Sequence, residues 1–560
     1  MLRDKLQRMN RRPDIVSSRG VVAAGHHLAA TAGIRMFACG GNAADAAAAA
    51  GFALAVLEPH LNGLGGECPI LVRAPDGTTH AISGQGWAPA AATPDRFPSS
   101  GIPGDGIASA AVPATVDAWI LLVDRFGKLP LREILKPAIE LAADGFPVDP
   151  RLRTAIENNR YLFKDWPATG AAFGEAGAVL KQADLARTLE SIAAKGREGF
   201  YAGRVAKTMA GFLKGAHPDR SGLPVQGLMT AADISEYAGA WEKPVEIEWR
   251  GCVVSKCGAW TQGPVFLQLL RLLEGDDLAA LPETEWAHLY LECAKLAFAD
   301  REAFYGDPKF AEVPLDRLLS REYATARRKL IGQEASRVLR PGAGAPPLPW
   351  TSGSADRGYE PLAAHTGDTT HLDAADKDGL MVAATPSGGW FDSNPQIPSL
   401  GFAAGTRLQM FNFLEGHPNR LQPKKRPRTT LTPSLARLPD GRCLAFGTPG
   451  GDGQDQWTLQ FFLNIASRGM SLQEAAEAPL LTSIAFPSSF APHGATPAGA
   501  TLEGRFEKKT LEELMVRGHL ATIAGRWDFG RVTGVAWDPK TGVMTAGVSP
   551  RRGNAAAIGV

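Results

Sequence analysis

The sequence predicts an α+β protein built from antiparallel sheets with helices covering their outer faces. Two observations carry this. Three pairs of strand-like runs flank tight-turn signals in the last third of the chain. They are Thr369 to Ala375 with Leu380 to Ala384 around Asp376-Lys377-Asp378-Gly379, Ser434 to Leu438 with Cys443 to Phe446 around Pro439-Asp440-Gly441-Arg442, and Val532 to Trp537 with Val543 to Val548 around Asp538-Pro539-Lys540-Thr541-Gly542. Helical patterns fall between these hairpins and dominate residues 113–335, so sheets and helices alternate as layers.

In chain order, residues 1–20 read as a basic, poorly ordered arm. Gly40-Gly41-Asn42 opens an Ala-rich run from Ala43 to Val56, whose small residues imply a helix packed closely on several sides. Asn62-Gly63-Leu64-Gly65-Gly66-Glu67 lacks the Gly-Lys-Ser/Thr of a phosphate loop and reads as a tight turn. Cys68 to Ala74 and Thr78 to Ser83 flank Pro75-Asp76-Gly77 as a hairpin. Val116 to Phe126, Leu131 to Ala143 and Trp286 to Phe304 read as scaffold helices. Residues 336–364 are rich in Pro, Gly, Ala and Ser, have little to bury, and read as a mobile or exposed linker. Gln456 to Ala466 reads as a helix, and the capping box Ser471-x-x-Glu474 opens another.

The 560 residues allow a large core, and a formal net charge of +1 gives no global pull toward nucleic acid or anionic membrane. The six cysteines, Cys39, Cys68, Cys252, Cys257, Cys293 and Cys443, form no CxxC pair and read as buried small hydrophobes of a reducing compartment; no metal is expected. No apolar segment follows the basic N-terminus and no run reaches membrane-spanning length, which predicts a soluble, cytoplasmic protein.

The chemistry centres on His365-Thr366-Gly367-Asp368-Thr369-Thr370-His371. A threonine hydroxyl needs a base beside it, and one solution is the residue's own α-amine, freed by cutting the peptide bond before it. That amine, with a reference pKa of about 7.7–8.0, is partly neutral near neutral pH. The motif therefore points to cleavage at Asp368–Thr369 and to Thr369 as nucleophile. Alone it also fits a loop entering a strand. Phe446-Gly447-Thr448-Pro449-Gly450-Gly451-Asp452-Gly453 lies between a strand and a helix, where paired glycines free backbone N–H groups to face an oxyanion. A plain turn or an anion-binding nest is the alternative.

Together these residues resemble the γ-glutamyltransferase (γ-glutamyltranspeptidase) family of N-terminal-nucleophile hydrolases. The resemblance runs through Gly40-Gly41-Asn42-Ala43-Ala44-Asp45-Ala46-Ala47, Leu64-Gly65-Gly66, Ala297-Phe298-Ala299-Asp300-Arg301, Thr369-Thr370-His371, Asp376-Lys377-Asp378-Gly379, Lys425-Arg426-Pro427 and Thr448-Pro449-Gly450-Gly451. It implies a four-layer αββα sandwich formed by two segments of one precursor, residues 1–368 and 369–560, which stay together as a heterodimer after self-cleavage, with a dimer of these as an option. By the same resemblance Thr369 is the nucleophile, Ser387 falls on a supporting threonine, Gly450 and Gly451 on the oxyanion glycines, and Thr429 and Thr430 on a Ser-Ser pair holding the substrate's α-carboxylate end. No cofactor is implied.

The departures concern substrate. Gln85 stands where the family has a carboxylate-binding Arg, and Asn412, in Gln409-Met410-Phe411-Asn412-Phe413, where it has an Asp for the α-ammonium; Gly389 replaces an Asn. Gln85, Gln409, Asn412, Arg428, Thr429 and Thr430 form the expected substrate-binding set. Lys424-Lys425-Arg426-Pro427-Arg428 reads either as a solvated basic loop or as the source of an inward Arg428 that grips an acyl carboxylate. The leading expectation is a self-processing amidohydrolase or acyltransferase that takes a small-molecule amide and passes its acyl group to water or an amine. The resemblance implies γ-glutamyl or related acyl amides, glutathione among them, as the default donor; the alternatives are an amidohydrolase for a non-glutamyl acidic amide (oxamate amidohydrolase or glutaryl/cephalosporin acylase type) and an unprocessed, non-catalytic binding protein.

Overall fold

The computed structural model describes residues 12–99, 101–345, 369–551 and 553–560. Residues 1–11 of the expected arm, residues 346–364 of the expected linker and the half His365–Asp368 of the central motif, with the expected cleavage position Asp368, lie outside the described residues. The main strands, in chain order, are β1 Ile15–Ser17, β2 Gly20–Ala24, β3 Ile70–Arg73, β4 Thr79–Ile82, β5 Trp241–Glu242, β6 Val245–Trp249, β7 Cys252–Lys256, β8 Leu372–Asp376, β9 Met381–Ala384, β10 Ser434–Arg437, β11 Cys443–Gly447, β12 Thr533–Trp537, β13 Met544–Val548 and β14 Ala556–Gly559. They form two seven-stranded sheets, ordered β14-β2-β8-β9-β3-β4-β5 and β1-β13-β12-β11-β10-β7-β6, and every neighbouring pair is antiparallel.

The two-residue period of a strand explains the layering. Val21, Ala23, Leu71, Ala375, Met381 and Ala383 of the first sheet share one apolar cluster with Leu435, Cys443, Ala445, Val535, Met544 and Ala546 of the second, so these faces pack together. The alternate residues point outward. Val22, Ala24, Ile70, Val72, Leu372 and Val382 meet the helices His27–Ala38, Ala43–Leu57, Thr115–Phe126 and Leu131–Asp144. Ile247, Trp249, Val254, Leu444 and Phe446 meet Gly263–Leu272, Glu283–Phe304 and Gln454–Ala466. The order is helix, sheet, sheet, helix, which is the four-layer αββα sandwich.

Every residue of Ala43–Leu57 is buried, and its N-terminus carries a reciprocal capping box between Asn42 and Asp45. A Cβ at Gly51 would stand 2.2 Å from the Trp119 ring, which explains why the middle of this helix has no side chain. Asp376 Oδ2 accepts the Ala43 N–H at 3.0 Å, so the turn after β8 also fixes the start of this helix.

Several expectations change. Residues 12–20 are no loose arm: β1 pairs with β13, Ile15 opposite Ala546, and closes the edge of the second sheet. The strand after the threonine pair starts at Leu372 rather than Thr369. The helix-rich segment also supplies β5, β6 and β7, whose signal is the alternation Val245-Glu246-Ile247-Glu248-Trp249 before the turn Arg250-Gly251. Cys39 is exposed while the other five cysteines are buried, and none is in a disulfide. No helix among the described residues is long and apolar enough to cross a membrane.

Candidate active site

Thr369 lies at the inner end of β8, three residues before the strand begins, and is buried. It forms an isolated bridge with Ser387, and the two side-chain oxygens are 3.0 Å apart. Ser387 follows β9 by three residues and exchanges two backbone hydrogen bonds with Glu67, each 2.9 Å. Arg531 donates from Nη2 to the Thr369 carbonyl at 2.8 Å, which ties the candidate nucleophile to the chain entering β12.

Behind Ser387 stands Arg407, in the short helical turn Arg407–Met410. Its Nη2 donates to Ser387 Oγ and its Nε is ion-paired with Glu67, all three side chains being buried. Burial pushes the Glu67 carboxyl up from its ordinary range while the neighbouring Arg407 cation pulls it down; the net direction is upward. The segment read as a tight turn is thus one wall of the site, with bridges Asn62 to Gly388, Gly65 to Ala404 and Glu67 to Ser387. Arg407 and Glu67 were not among the expected site residues. The signals available were a lone Arg in the otherwise uncharged run Phe402 to Met410, and an acid directly after Gly65-Gly66.

The glycine turn follows β11. His371 packs against Gly447, where a Cβ would stand 2.2 Å from the imidazole, so the short segment linking the candidate nucleophile to β8 touches the residue that opens the turn. Gly450 and Gly451 have φ of +124° and +53°, a region closed to most side chains. Among the described residues neither N–H donates to a backbone carbonyl. Arg301 pairs with Asp452 and donates to Pro487 O at 2.7 Å and Ser489 Oγ at 3.1 Å, while Ser489 N–H donates to Asp452 at 2.8 Å. This clamp holds the turn against the segment bearing Phe490, whose ring would sit 3.1 Å from a Cβ on Gly451.

The expected substrate-binding residues divide. Thr429 N–H donates to Trp260 O and its carbonyl accepts from Gln262 N–H, both at 2.9 Å; the Gln262 side-chain amide reaches Gly451 O at 3.4 Å. Thr429 is therefore one residue removed from the glycine turn. The side-chain oxygens of Thr430, Gln85 and Gln409 are buried without a hydrogen-bond partner among the described residues. Gln85 turns its amide nitrogen to Gly86 O at 3.2 Å, and Asn412 Oδ1 accepts the Leu414 N–H at 2.8 Å.

The reading of the basic segment as a solvated loop is corrected: Lys425, Arg426 and Arg428 are buried, and Arg426 pairs with Asp307 at 2.9 Å and Glu242 at 2.7 Å. Arg428 does turn inward, but its guanidinium is held by Glu302 at 2.6 Å and by Arg301 O at 2.9 Å, so an internal acid accounts for its burial without an acyl carboxylate. Burial pushes Glu302 up, yet Arg428 and Arg301 outweigh it and hold the carboxyl well below the ordinary range.

The gamma-glutamyltranspeptidase family model matches residues 29–559. The acylase ACY 1 proenzyme of Pseudomonas sp. (strain V22) is 33% identical over 549 residues, covering 93% of this chain and 90% of its own. The glutathione hydrolase-like YwrD proenzyme of Bacillus subtilis (strain 168) is 31% identical, covering 98% and 99%. The crystal structure of cephalosporin acylase from Bacillus halodurans superposes with a TM-score of 0.84 at 29% identity, covering 99% of this chain and 98% of that one.

Proposed function

The chain belongs to the gamma-glutamyltranspeptidase family, whose members act on amide bonds, and within it we propose that Thr369, freed by cleavage after Asp368, is the nucleophile of a hydrolase that works through an acyl-enzyme. The observation that carries this is the 3.0 Å contact between Thr369 Oγ and Ser387 Oγ with Arg407 behind it. Arg407 donates to Ser387 Oγ and occupies one of its lone pairs, and in this reading the Ser387 hydroxyl donates to Thr369 Oγ across the 3.0 Å contact. The Thr369 proton is then left for its α-amine. The amine takes that proton as the Oγ–C bond forms, and passes it to the leaving nitrogen as the C–N bond breaks. Water, deprotonated by the same amine, adds to the ester carbonyl, and the amine returns that proton to Thr369 Oγ as the C–Oγ bond breaks, releasing the acid and restoring Thr369. Gly450 and Gly451 N–H groups stabilise the oxyanion at both steps.

The two cleavage products remain together because both sheets interleave them: β2, β3 and β4 flank β8 and β9 in one sheet, and β7 pairs with β10 in the other. A γ-glutamyl donor carries a zwitterionic end, and the positions expected to hold it are neutral, with Asn412 committed to Leu414 and Gln85 to Gly86. This favours an acyl group without an α-ammonium.

The test is denaturing electrophoresis with N-terminal sequencing of the purified protein. Two chains are expected, the smaller starting Thr-Thr-His-Leu, and Thr369→Ala should remain one inactive chain. A processed and active Thr369→Ala protein would refute the assignment.

A further inference from the structure

Arg407 is 1% exposed, and only two of its three nitrogens are satisfied. Nε faces Glu67 and Nη2 faces Ser387, whereas Nη1 has no acceptor among the described residues. A buried donor without a partner is costly, more so when it belongs to a cation. Two aromatic rings lie against the guanidinium, with its central carbon 4.9 Å from the Trp390 and 5.8 Å from the Phe490 ring centroid. It therefore sits in apolar surroundings, where a charge-assisted hydrogen bond is strong. Phe490 also touches Gly451, so the same ring spans the space from this cation to the glycine turn.

We propose that Arg407 is the residue that binds the substrate's acyl carboxylate, and that the acyl group is short, the monoamide of an oxalic- or malonic-type diacid. This rests on the reading of Thr369 as nucleophile, and it deepens that reading by fixing the length of the acyl chain. The ruler is the relay itself. Arg407 and Thr369 Oγ both contact the one Ser387 hydroxyl, so the cation lies within about 6 Å of the attacking oxygen, the span of two successive hydrogen bonds. A near-attack carbonyl carbon lies about 3–3.5 Å from that oxygen. A carboxylate one or two carbons from the carbonyl then reaches the free end of the guanidinium at an ordinary charge-assisted distance of about 2.8 Å. A glutaryl chain carries its carboxylate three methylenes beyond the carbonyl and must fold back between Trp390 and Phe490 to reach it. Glu67 holds the opposite edge of the fork and keeps the free end aimed.

The experiment has two arms on the processed protein. The first measures kcat/KM for p-nitroanilides of oxalic, malonic, succinic and glutaric acid and for the neutral acetyl analogue. Oxalyl or malonyl substrates should exceed glutaryl and acetyl by tenfold or more. In Arg407→Met combined with Glu67→Gln, which removes both charges and leaves neither buried alone, that preference should fall to near one. Should this variant not fold, Arg407→Lys serves, with KM for the short acids raised more than kcat is lowered. The second arm titrates oxalate, malonate and glutarate calorimetrically, without chemistry. Binding of the short diacids that is lost in the variant supports Arg407 even if no anilide is cleaved, which would overturn the Thr369 reading alone. Turnover with equal or better glutaryl rates, or diacid binding indifferent to Arg407, overturns the proposal.

Discussion

Arg428 is closed to solvent by Glu302, and a buried pair behaves differently from a binding residue when one member is removed. Arg428→Ala removes the guanidinium 2.6 Å from Glu302 and leaves that buried carboxylate with Arg301 and the His417 imidazole, and breaking a buried pair typically costs about 3–5 kcal/mol. The expected outcome is a large loss of stability in chemical denaturation; an unchanged midpoint with a raised KM would restore the ligand role. At the glycine turn, Gly451→Pro removes one N–H and demands negative φ where the chain has +53°. Losing one such donor costs about 10²–10³ in turnover, so kcat should fall at least that far, and a folded variant with full kcat would exclude this N–H from catalysis.

The helix Ala43–Leu57 is one place where sequence and structure agree closely, ending one residue beyond the expected Val56. Fifteen consecutive buried residues need small side chains on all faces, and that requirement is written into the composition itself. Gly51→Val should push a branched side chain into Trp119 and cost about 1–3 kcal/mol, read as a lower unfolding midpoint. Pairings between distant segments were not readable in this way. Glu67 and Arg407 lie 340 positions apart, and nothing local in either segment announces the other. The basic run at 424–428 misled for the same reason, since its acids Asp307, Glu242 and Glu302 come from the strand and helix segments of the earlier region. The threonine and glycine motifs stand out in the sequence as candidates because the chemistry they suggest is local to a few residues.

Over the whole molecule, acid should act through buried imidazoles as well as carboxylates. Burial, with the adjacent His27, pushes His26 down to about 4, against a weaker pull upward from Asp149. Burial, with Lys295 and His288, pushes His519 down to about 3. Because both are neutral in the folded chain and titrate near 6.5 when unfolded, they contribute stability above pH 6.5 that is lost as pH falls toward about 4. His26→Asn, which keeps an acceptor for the Leu28 N–H at the helix start, should flatten the stability profile across that window. A profile identical to the parent would remove His26 from the explanation.

The proposed function turns on one event, transfer of an acyl group to the Thr369 hydroxyl at the start of a new chain; the interleaving of both segments in two sheets and the Thr369–Ser387 contact are the observations it rests on. Intact-mass spectrometry of the purified protein, quenched during turnover of an oxalyl or malonyl anilide and followed by peptide mapping, observes it directly. The predicted result is two polypeptides, the smaller beginning at Thr369 and carrying the acyl mass on that residue. A full-length chain that turns the substrate over, or an acyl group located on any other side chain, would contradict it.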